Sequence, residues 1–264
     1  MLRCILIAMA CSFCFALSGQ DLADYQKKSF KASNDVVLPY RILYPENYNP
    51  QKTYPVLFFL HGAGERGADN ELQLVHGSKL FLEAENRKKY NSFVIFPQCK
   101  KDSYWAEIER TEDRKEWEFP LKSTPSPTVF ALMEFFDEMA KTLPIDQRRQ
   151  YLGGLSMGGF GTFEVLARMP RRFAAAFPIC GGGNPLYAPI YGYSTPLWVF
   201  HGDVDVVVPV DLSRKVVAAL KEMEVEVKYN EYKGVNHNSW DNAFAEPDLL
   251  KWVFSHKRKK NDIR

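Results

Sequence analysis

The stretch Tyr151-Leu-Gly-Gly-Leu-Ser-Met-Gly-Gly-Phe-Gly161 indicates the fold of this chain more directly than any other. It joins an apolar run, 150–155, to a helical pattern that ends at Pro170, which predicts a strand, a tight turn and a helix. Glycines flank Ser156 within Gly154-Leu-Ser-Met-Gly158, because a chain that doubles back so tightly leaves no room for a Cβ on either side. Such a turn exposes the serine hydroxyl above a sheet, at the N-terminus of the following helix.

Apolar runs typical of strands recur on both sides of this turn and alternate with helical patterns over 128–143, 157–169 and 211–223. Some runs, such as Val56–Leu60, are apolar throughout, as expected for strands that are covered on both faces. The alternation predicts an α/β fold with a mostly parallel central sheet and helices on both faces. The predicted strands are 40–44, 55–60, 92–97, 150–155, 174–180, 197–201 and 225–232.

Residues 100–127 do not fit this alternation. They are charged, contain four large aromatic side chains and end in a run of Ser, Thr and Pro, which predicts a long surface excursion. The excursion leaves the carboxyl end of the 92–97 strand, where ligands bind in open α/β sheets, so Trp105 is expected to contact a bound substrate. The alternative is that its aromatic rings only pack the excursion onto the rest of the domain.

The N-terminus has the pattern of a cleaved secretory signal over 1–18. One charge, Arg3, precedes an apolar stretch too short to span a bilayer, and small residues precede position 19. We therefore expect a mature domain over 19–264 that is secreted or periplasmic; a lipoprotein signal and an uncleaved anchor are the alternatives. Removal of the segment leaves Cys99 and Cys180, which are too few for a disulfide framework and lack metal-ligand spacing, and whose pairing stays open.

The composition predicts one globular domain. Of 264 residues 46% are hydrophobic, and 34 Lys+Arg balance 32 Asp+Glu to a formal net charge of +2. A balanced charge, with the basic run 257–260 confined to the C-terminus, gives no reason to expect nucleic acid as a partner. Stable membrane insertion is not expected either, and nothing in the pattern specifies an oligomeric state.

The motif His61-Gly-Ala-Gly64 follows one of the buried strands. Its glycines let the backbone run close to the serine of the tight turn, so the amides of Ala63 and Met157 are candidate donors to an oxyanion. Gly62 is then expected to line the substrate site. His61 stands at the strand end, where its ring is expected to fix the loop by hydrogen bonding and not to transfer protons.

Two later segments supply the groups that a serine nucleophile requires. Asp203 and Asp205 follow the 197–201 strand, and His237 follows the last predicted strand. A serine hydroxyl needs a base within hydrogen-bond reach, and the imidazole needs a carboxylate to hold its tautomer. Because all three segments follow strand C-termini, we expect Ser156, one of the two aspartates and His237 to meet.

With these residues the chain resembles the α/β-hydrolases over essentially all of its mature length, and in particular secreted esterases similar to dienelactone hydrolases, polyhydroxybutyrate depolymerases and feruloyl esterases. The resemblance implies that Asp205, the second Asp of its motif, is the acid, and that no metal or organic cofactor takes part. The motifs that carry it are His61-Gly-Ala-Gly-Glu-Arg-Gly67, Phe96-Pro-Gln-Cys99, Gly154-Leu-Ser-Met-Gly-Gly159, His201-Gly-Asp-Val-Asp205 with Val208-Pro209, and Gly234-Val-Asn-His-Asn-Ser-Trp240.

The resemblance implies a serine carboxylesterase that forms an acyl-enzyme on a small-molecule or polysaccharide-linked ester, with feruloyl or acetyl groups on carbohydrate as the expected substrates. A peptidase of the prolyl-oligopeptidase type is the alternative. Only about twenty residues precede the predicted domain, which leaves no room for the propeller that restricts access in that type. A non-catalytic binding protein on the same scaffold is the third hypothesis, and the presence of Ser156, Asp205 and His237 argues against it.

Overall fold

A computed structural model of the chain describes residues 22–110, 117–122 and 124–259, and eight strands in these residues form one sheet. The predicted signal segment, 1–18, lies outside the described residues. The strands of the sheet are β1 (Gln26–Lys31), β2 (Val37–Leu43), β3 (Tyr54–Leu60), β4 (Phe93–Pro97), β7 (Ile145–Leu155), β8 (Ala175–Ile179), β9 (Leu197–Gly202) and β10 (Val227–Tyr232), and the excursion contains the short strands β5 (Glu109–Arg110) and β6 (Trp117–Glu118).

The order of the strands is β1-β2-β4-β3-β7-β8-β9-β10. Strand β2 pairs antiparallel with β1 and β4, and the other neighbouring strands are parallel. The predicted mostly parallel sheet is therefore confirmed. Strand β1 was not predicted; it forms an edge of the sheet, and its three lysines, Lys27, Lys28 and Lys31, are exposed.

Strand β3 shows why the sheet needs a layer on each face. Its residues alternate between two cores, with Val56, Phe58 and Leu60 in one and Leu57 and Phe59 in the other. Helices α2 to α5 cover the first core, while α6, α7 and the short turns after β3 cover the second. Both faces of the strand are thereby removed from water.

The three predicted helices are found close to their predicted positions, as α2, α3 and α5, and the shorter helices α1, α4, α6 and α7 were not predicted. No helix in the described part of the chain is both long and apolar enough to cross a bilayer. The helices are α1 (Ala84–Lys89), α2 (Pro127–Thr142), α3 (Met157–Arg168), α4 (Ala188–Tyr191), α5 (Asp211–Glu222), α6 (Trp240–Phe244) and α7 (Leu249–Ser255), with short 3₁₀ turns at Leu22–Asp24, Ala63–Glu65, Leu72–Leu74, Ser78–Phe81 and Pro185–Tyr187.

The excursion between β4 and α2 contains the hairpin β5–β6, in which Glu109 pairs with Glu118 and Arg110 with Trp117. Trp117 stacks on Phe160 of α3 at a centroid distance of 5.3 Å. The hairpin is thus attached near the start of the helix that follows the tight turn.

Elsewhere in the described residues, Cys99 and Cys180 are both free and buried, so these two cysteines do not pair with each other.

Candidate active site

The tight turn between β7 and α3 places Ser156 in a strained conformation. Its φ of 52° and ψ of −114° put a non-glycine residue at positive φ, which costs on the order of 1–3 kcal/mol. The amide of Ser156 donates to the carbonyl of Ile179 in the neighbouring strand at 2.9 Å. A Cβ on Gly154 would overlap the carbonyl of Gly158, and one on Gly158 would overlap the carbonyl of Leu60. The glycines are required, as the sequence predicts, and the turn is fixed by backbone on both sides.

The structure brings Ser156, His237 and Asp205 together. Nε2 of His237 lies 2.9 Å from Oγ of Ser156, and Nδ1 of His237 lies 2.7 Å from Oδ2 of Asp205. In the neutral tautomer that suits both contacts, Nδ1–H donates to the carboxylate and Nε2 accepts from the serine hydroxyl. The three side chains come from loops after β7, β9 and β10, and they form one continuous line of hydrogen bonds.

Asp205 is held by four groups and has a fully buried carboxylate. Oδ1 accepts from the amides of Val207 and Val208, each at 2.8 Å, while Oδ2 accepts from His237 and lies 3.3 Å from Nε2 of His201. Burial by itself raises the pKa of Asp205, but the two histidines and the two amides outweigh it and hold the pKa well below its usual range. The carboxylate is therefore ionised and fixed in direction.

Asp203, the other candidate acid, has a different partner. Its Oδ1 accepts from the amide of Gly234 at 2.6 Å, at a glycine with φ of 71°. The side chain therefore ties the β9 loop to the turn that precedes His237. The structure distinguishes the two aspartates, because Asp205 contacts the imidazole and Asp203 supports the backbone that carries it.

His201 is the positioning candidate that sequence reasoning missed. Its ring is fully buried, with Nδ1 2.8 Å from Oγ of Ser213 and Nε2 3.0 Å from the carbonyl of Val208. Because Nε2 faces a carbonyl as well as the carboxylate of Asp205, it carries the proton. Two imidazoles thus converge on one carboxylate. The sequence offers one indication of this role, because His201 is the first residue of the motif that contains Asp205.

His61 fixes the loop after β3. Its Nε2 accepts from the amide of Cys99 at 2.9 Å, so Nδ1–H donates to the carbonyl of Gly62 at 2.6 Å. Burial lowers the pKa of His61 to about 4, because the imidazolium would lose its hydration. The ring is neutral and structural, as the sequence predicted.

This loop runs beside the serine. A Cβ built on Gly62 would lie 2.8 Å from Cδ1 of Leu155 and 3.7 Å from Cβ of Ser156, so a larger residue would displace the tight turn. Ala63 is the first residue of a 3₁₀ turn and Met157 the first of α3. First-turn amides have no partner within their own element, so both positions suit the predicted oxyanion donors.

The expectation for Trp105 is wrong. Its side chain has no exposed surface, and its ring lies edge-on to His61 at a centroid distance of 5.4 Å. Its Cβ also lies 2.5 Å from the position that a Cβ on Gly161 would take. The excursion begins by packing Trp105 between the β3 loop and α3, so the ring supports that loop and does not face a substrate.

Two other aromatic residues of the excursion lie beside α3, where Phe119 is buried and Trp117 is partly exposed. Trp117 and Phe119 pack on Phe160, one turn after the serine, and the guanidinium of Arg110 lies 3.6 Å from the centre of the Trp117 ring. They border a groove of about 340 Å³ whose lining also includes Gly183, Asn184, Pro185, Leu212 and Lys215.

One group of possible metal-ligating atoms occurs among the described residues, formed by Cys180, Asp205 and His237 within 4.8 Å of one another. The carboxylate and imidazole already bind each other, and burial raises the pKa of the Cys180 thiol. A protonated thiol is a poor metal ligand, so these donors suit proton transfer better than metal binding.

The arrangement contains the parts needed for acyl transfer. Ser156 can pass its proton to Nε2 of His237 while Oγ attacks a carbonyl carbon, and Asp205 stabilises the imidazolium that forms. The amides beside the serine can bind the oxygen on which negative charge develops.

Residues 47–248 match the model of the phospholipase/carboxylesterase family. The chain is 24% identical over 227 residues to acyl-protein thioesterase 1 of Candida albicans, covering 78% of this chain and 93% of that protein. It is 35% identical over 72 residues to the bifunctional acetylxylan esterase/xylanase XynS20E of Neocallimastix patriciarum, covering 27% of this chain and 11% of that protein.

Among solved structures, the chain is similar to a thermostable esterase with a TM-score of 0.81 and 35% sequence identity. The match covers 90% of this chain and 64% of the esterase. The chain therefore spans less than two thirds of that esterase and about a tenth of the bifunctional protein.

Proposed function

The chain belongs to the phospholipase/carboxylesterase family and has the α/β-hydrolase fold, and on this premise we propose that it is a serine carboxylesterase with Ser156 as nucleophile, His237 as base and Asp205 as acid. Family and fold support a serine hydrolase that acts on esters. The observation that carries the assignment of residues is the unbroken line of hydrogen bonds from Oγ of Ser156 through His237 to Asp205, at 2.9 and 2.7 Å.

In the first half of the reaction, Oγ of Ser156 bonds to the ester carbon as its proton moves to Nε2 of His237. The carbonyl oxygen becomes an oxyanion that accepts hydrogen bonds from the amides of Ala63 and Met157. The bond from carbon to the alcohol oxygen then breaks, and His237 returns the proton to that oxygen. The alcohol leaves, and the acyl group stays on the serine.

In the second half, water occupies the place of the alcohol. His237 removes a proton from the water as its oxygen attacks the acyl carbon, and the carbon–Oγ bond breaks with return of the proton to Ser156. At the start of each half the base must be neutral, because only a neutral imidazole can accept the proton. The ionised carboxylate of Asp205 stabilises the imidazolium that His237 becomes when it has taken the proton.

We propose that the ester joins a feruloyl or acetyl group to carbohydrate, either as a small molecule or on a polysaccharide. The match of 72 residues to a bifunctional acetylxylan esterase/xylanase supports the acetyl group. The groove beside Phe160, with Trp117 at its border, supports a substrate that extends beyond the reacting carbonyl.

Secretion is also proposed from the pattern of residues 1–18. N-terminal sequencing of the protein exported by its native host would test it by showing whether the chain starts at Gly19.

The deciding experiment compares five substrates on the purified mature protein: p-nitrophenyl acetate, p-nitrophenyl butyrate, methyl ferulate, acetylated xylan and a Gly-Pro anilide. We expect turnover of the esters, none of the anilide, and loss of turnover in Ser156→Ala. Preferential cleavage of the anilide would make the protein a peptidase. Turnover that survives in Ser156→Ala would remove the proposed nucleophile.

A further inference from the structure

Building on the proposed function, we propose that Glu65, His76 and Trp240 form a binding subsite for the alcohol portion of the ester, and that this alcohol is a sugar. None of the three side chains takes part in the reaction described above. They form a connected set that begins at His237 and returns to the neighbourhood of Ser156.

His237 determines the side on which the alcohol lies. Its Nε2 must return the proton to the alcohol oxygen, so the rest of the alcohol leaves the reacting carbon close to this ring. Trp240 is edge-on to His237 at a centroid distance of 5.4 Å, and His76 lies 5.0 Å from Trp240. Both Trp240 and His76 are partly exposed, so the alcohol meets an aromatic surface directly beyond the base.

Glu65 completes the set, because it lies near Gly62 beside the serine. The vacant Cβ position on Gly62 lies 2.9 Å from Oε2 of Glu65 and 3.7 Å from Cβ of Ser156. Oε1 of Glu65 lies 3.7 Å from Nε2 of His76, which is too long for a hydrogen bond. Among the described residues no side-chain hydrogen bond to this carboxylate is found, and 14% of the Glu65 side chain is exposed. Its oxygens can therefore accept from a ligand.

This combination of groups matches the chemistry of a sugar. A carboxylate only accepts hydrogen bonds, and sugar hydroxyls donate them, while the C–H face of a sugar ring packs on an indole. Glu65 thus favours an alcohol rich in hydroxyl groups and disfavours one that carries a carboxylate.

The test uses two esters with the same acyl group and different alcohols, ethyl acetate and 6-O-acetylglucose. In Glu65→Gln we expect kcat/KM for the sugar ester to fall about ten- to a hundredfold, the loss typical of a hydrogen bond to a charged group. The value for ethyl acetate should stay within about threefold, because ethanol has no further hydroxyl to bind. Glu85→Gln, a change at an exposed acidic residue, is the matched control and should leave both values unchanged.

Trp240→Leu provides a second variant, which should raise KM for the sugar ester more than for ethyl acetate. The subsite is disproved if either variant lowers kcat/KM for both esters equally at an unchanged melting temperature. It is also disproved if Glu65→Gln leaves kcat/KM for the sugar ester unchanged. Acetylcholine is the third substrate. If Glu65→Gln lowers kcat/KM for acetylcholine more than for the sugar ester, the site binds a cation and the sugar assignment is wrong. A wild-type protein that hydrolyses none of the esters would instead contradict the proposed function itself.

Discussion

The loop that carries Asp205 and the excursion after β4 both reach the carboxyl edge of the sheet, but different forces hold them there. Two imidazoles and two backbone amides contact the Asp205 carboxylate, whereas the excursion packs ring against ring at Trp105 and Trp117. Hydrogen bonds fix the direction of a group, while ring packing mainly removes apolar surface from water. Changes in the loop should therefore alter chemistry with little effect on folding, and changes in the excursion should do the reverse.

The largest effect is expected from removing the hydroxyl of Ser156, where the line of hydrogen bonds from Asp205 through His237 ends. Ser156→Ala should lower kcat on the order of 10⁴-fold or more, since only binding and the oxyanion donors remain. The variant should keep its melting temperature and should no longer react with a fluorophosphonate. Ser255→Ala, at an exposed serine, is the control; covalent labelling that persists without Ser156 would contradict the assignment.

The next test compares the two aspartates. Asp205→Asn should lower kcat about 10³- to 10⁴-fold, because an amide at this position favours the wrong tautomer of His237. Asp203→Asn still offers an oxygen to the amide of Gly234, so its kcat should stay near that of the wild type and its stability within about 0.5 kcal/mol. The opposite ranking would show that Asp203 is the acid.

The excursion is tested by Trp105→Ala. Because the ring is fully buried, its removal should lower the free energy of unfolding by about 3–5 kcal/mol. The kcat/KM of the remaining folded molecules should change equally for p-nitrophenyl acetate and methyl ferulate, since the ring touches neither. A loss restricted to the ferulate at an unchanged melting temperature would show that Trp105 contacts the substrate after all.

Stability should also depend on pH through His61. Its pKa is about 4 in the folded protein and about 6.5 in an unfolded chain, so between these values the unfolded chain binds more protons. The free energy of unfolding should therefore decrease as pH falls from 6.5 to 4, by up to about 3 kcal/mol from this residue. Urea titrations across this range should show a smaller decrease in His61→Asn, and an identical decrease would exclude His61 as its cause.

The smallest expected effect is at His201. Replacing it with Leu removes one hydrogen-bond donor from Asp205 and should lower kcat about ten- to a hundredfold at unchanged KM. His201→Gln retains an N–H donor and should recover part of this loss. If both variants lower KM and kcat together in proportion to a reduced melting temperature, His201 is a core residue and does not position Asp205.

The sequence predicts the turn at Ser156 because a tight strand-to-helix turn excludes a Cβ from the glycines beside it. At Gly154 the overlap is with the carbonyl of Gly158, four residues later, and at Gly158 it is with the carbonyl of Leu60 in the neighbouring strand. It also predicts His237 and the region of Asp205, since parallel strands bring their carboxyl ends to one edge. These inferences depend on local geometry and on strand direction, both of which leave a pattern in the chain.

Other features depend on contacts between distant segments. Strand β1, Gln26–Lys31, was not predicted because its residues are mostly polar and exposed, so the alternation that marks a half-buried strand is absent. The burial of Trp105 results from its contacts with His61 and Gly161, and no local sequence pattern indicates these contacts. The approach of His76 to Trp240 is likewise a result of the folded chain alone.

The unpredicted strand β1 also affects how copies of the protein meet. An edge strand offers unpaired backbone groups to any other exposed strand and so promotes aggregation. Here the edge carries Lys27, Lys28 and Lys31 within six residues, and Lys27 and Lys31 form ion pairs with acidic neighbours. Two molecules joined through β1 would have to remove water from these charged groups. This edge therefore resists the strand-by-strand growth of fibrils even where the protein is concentrated.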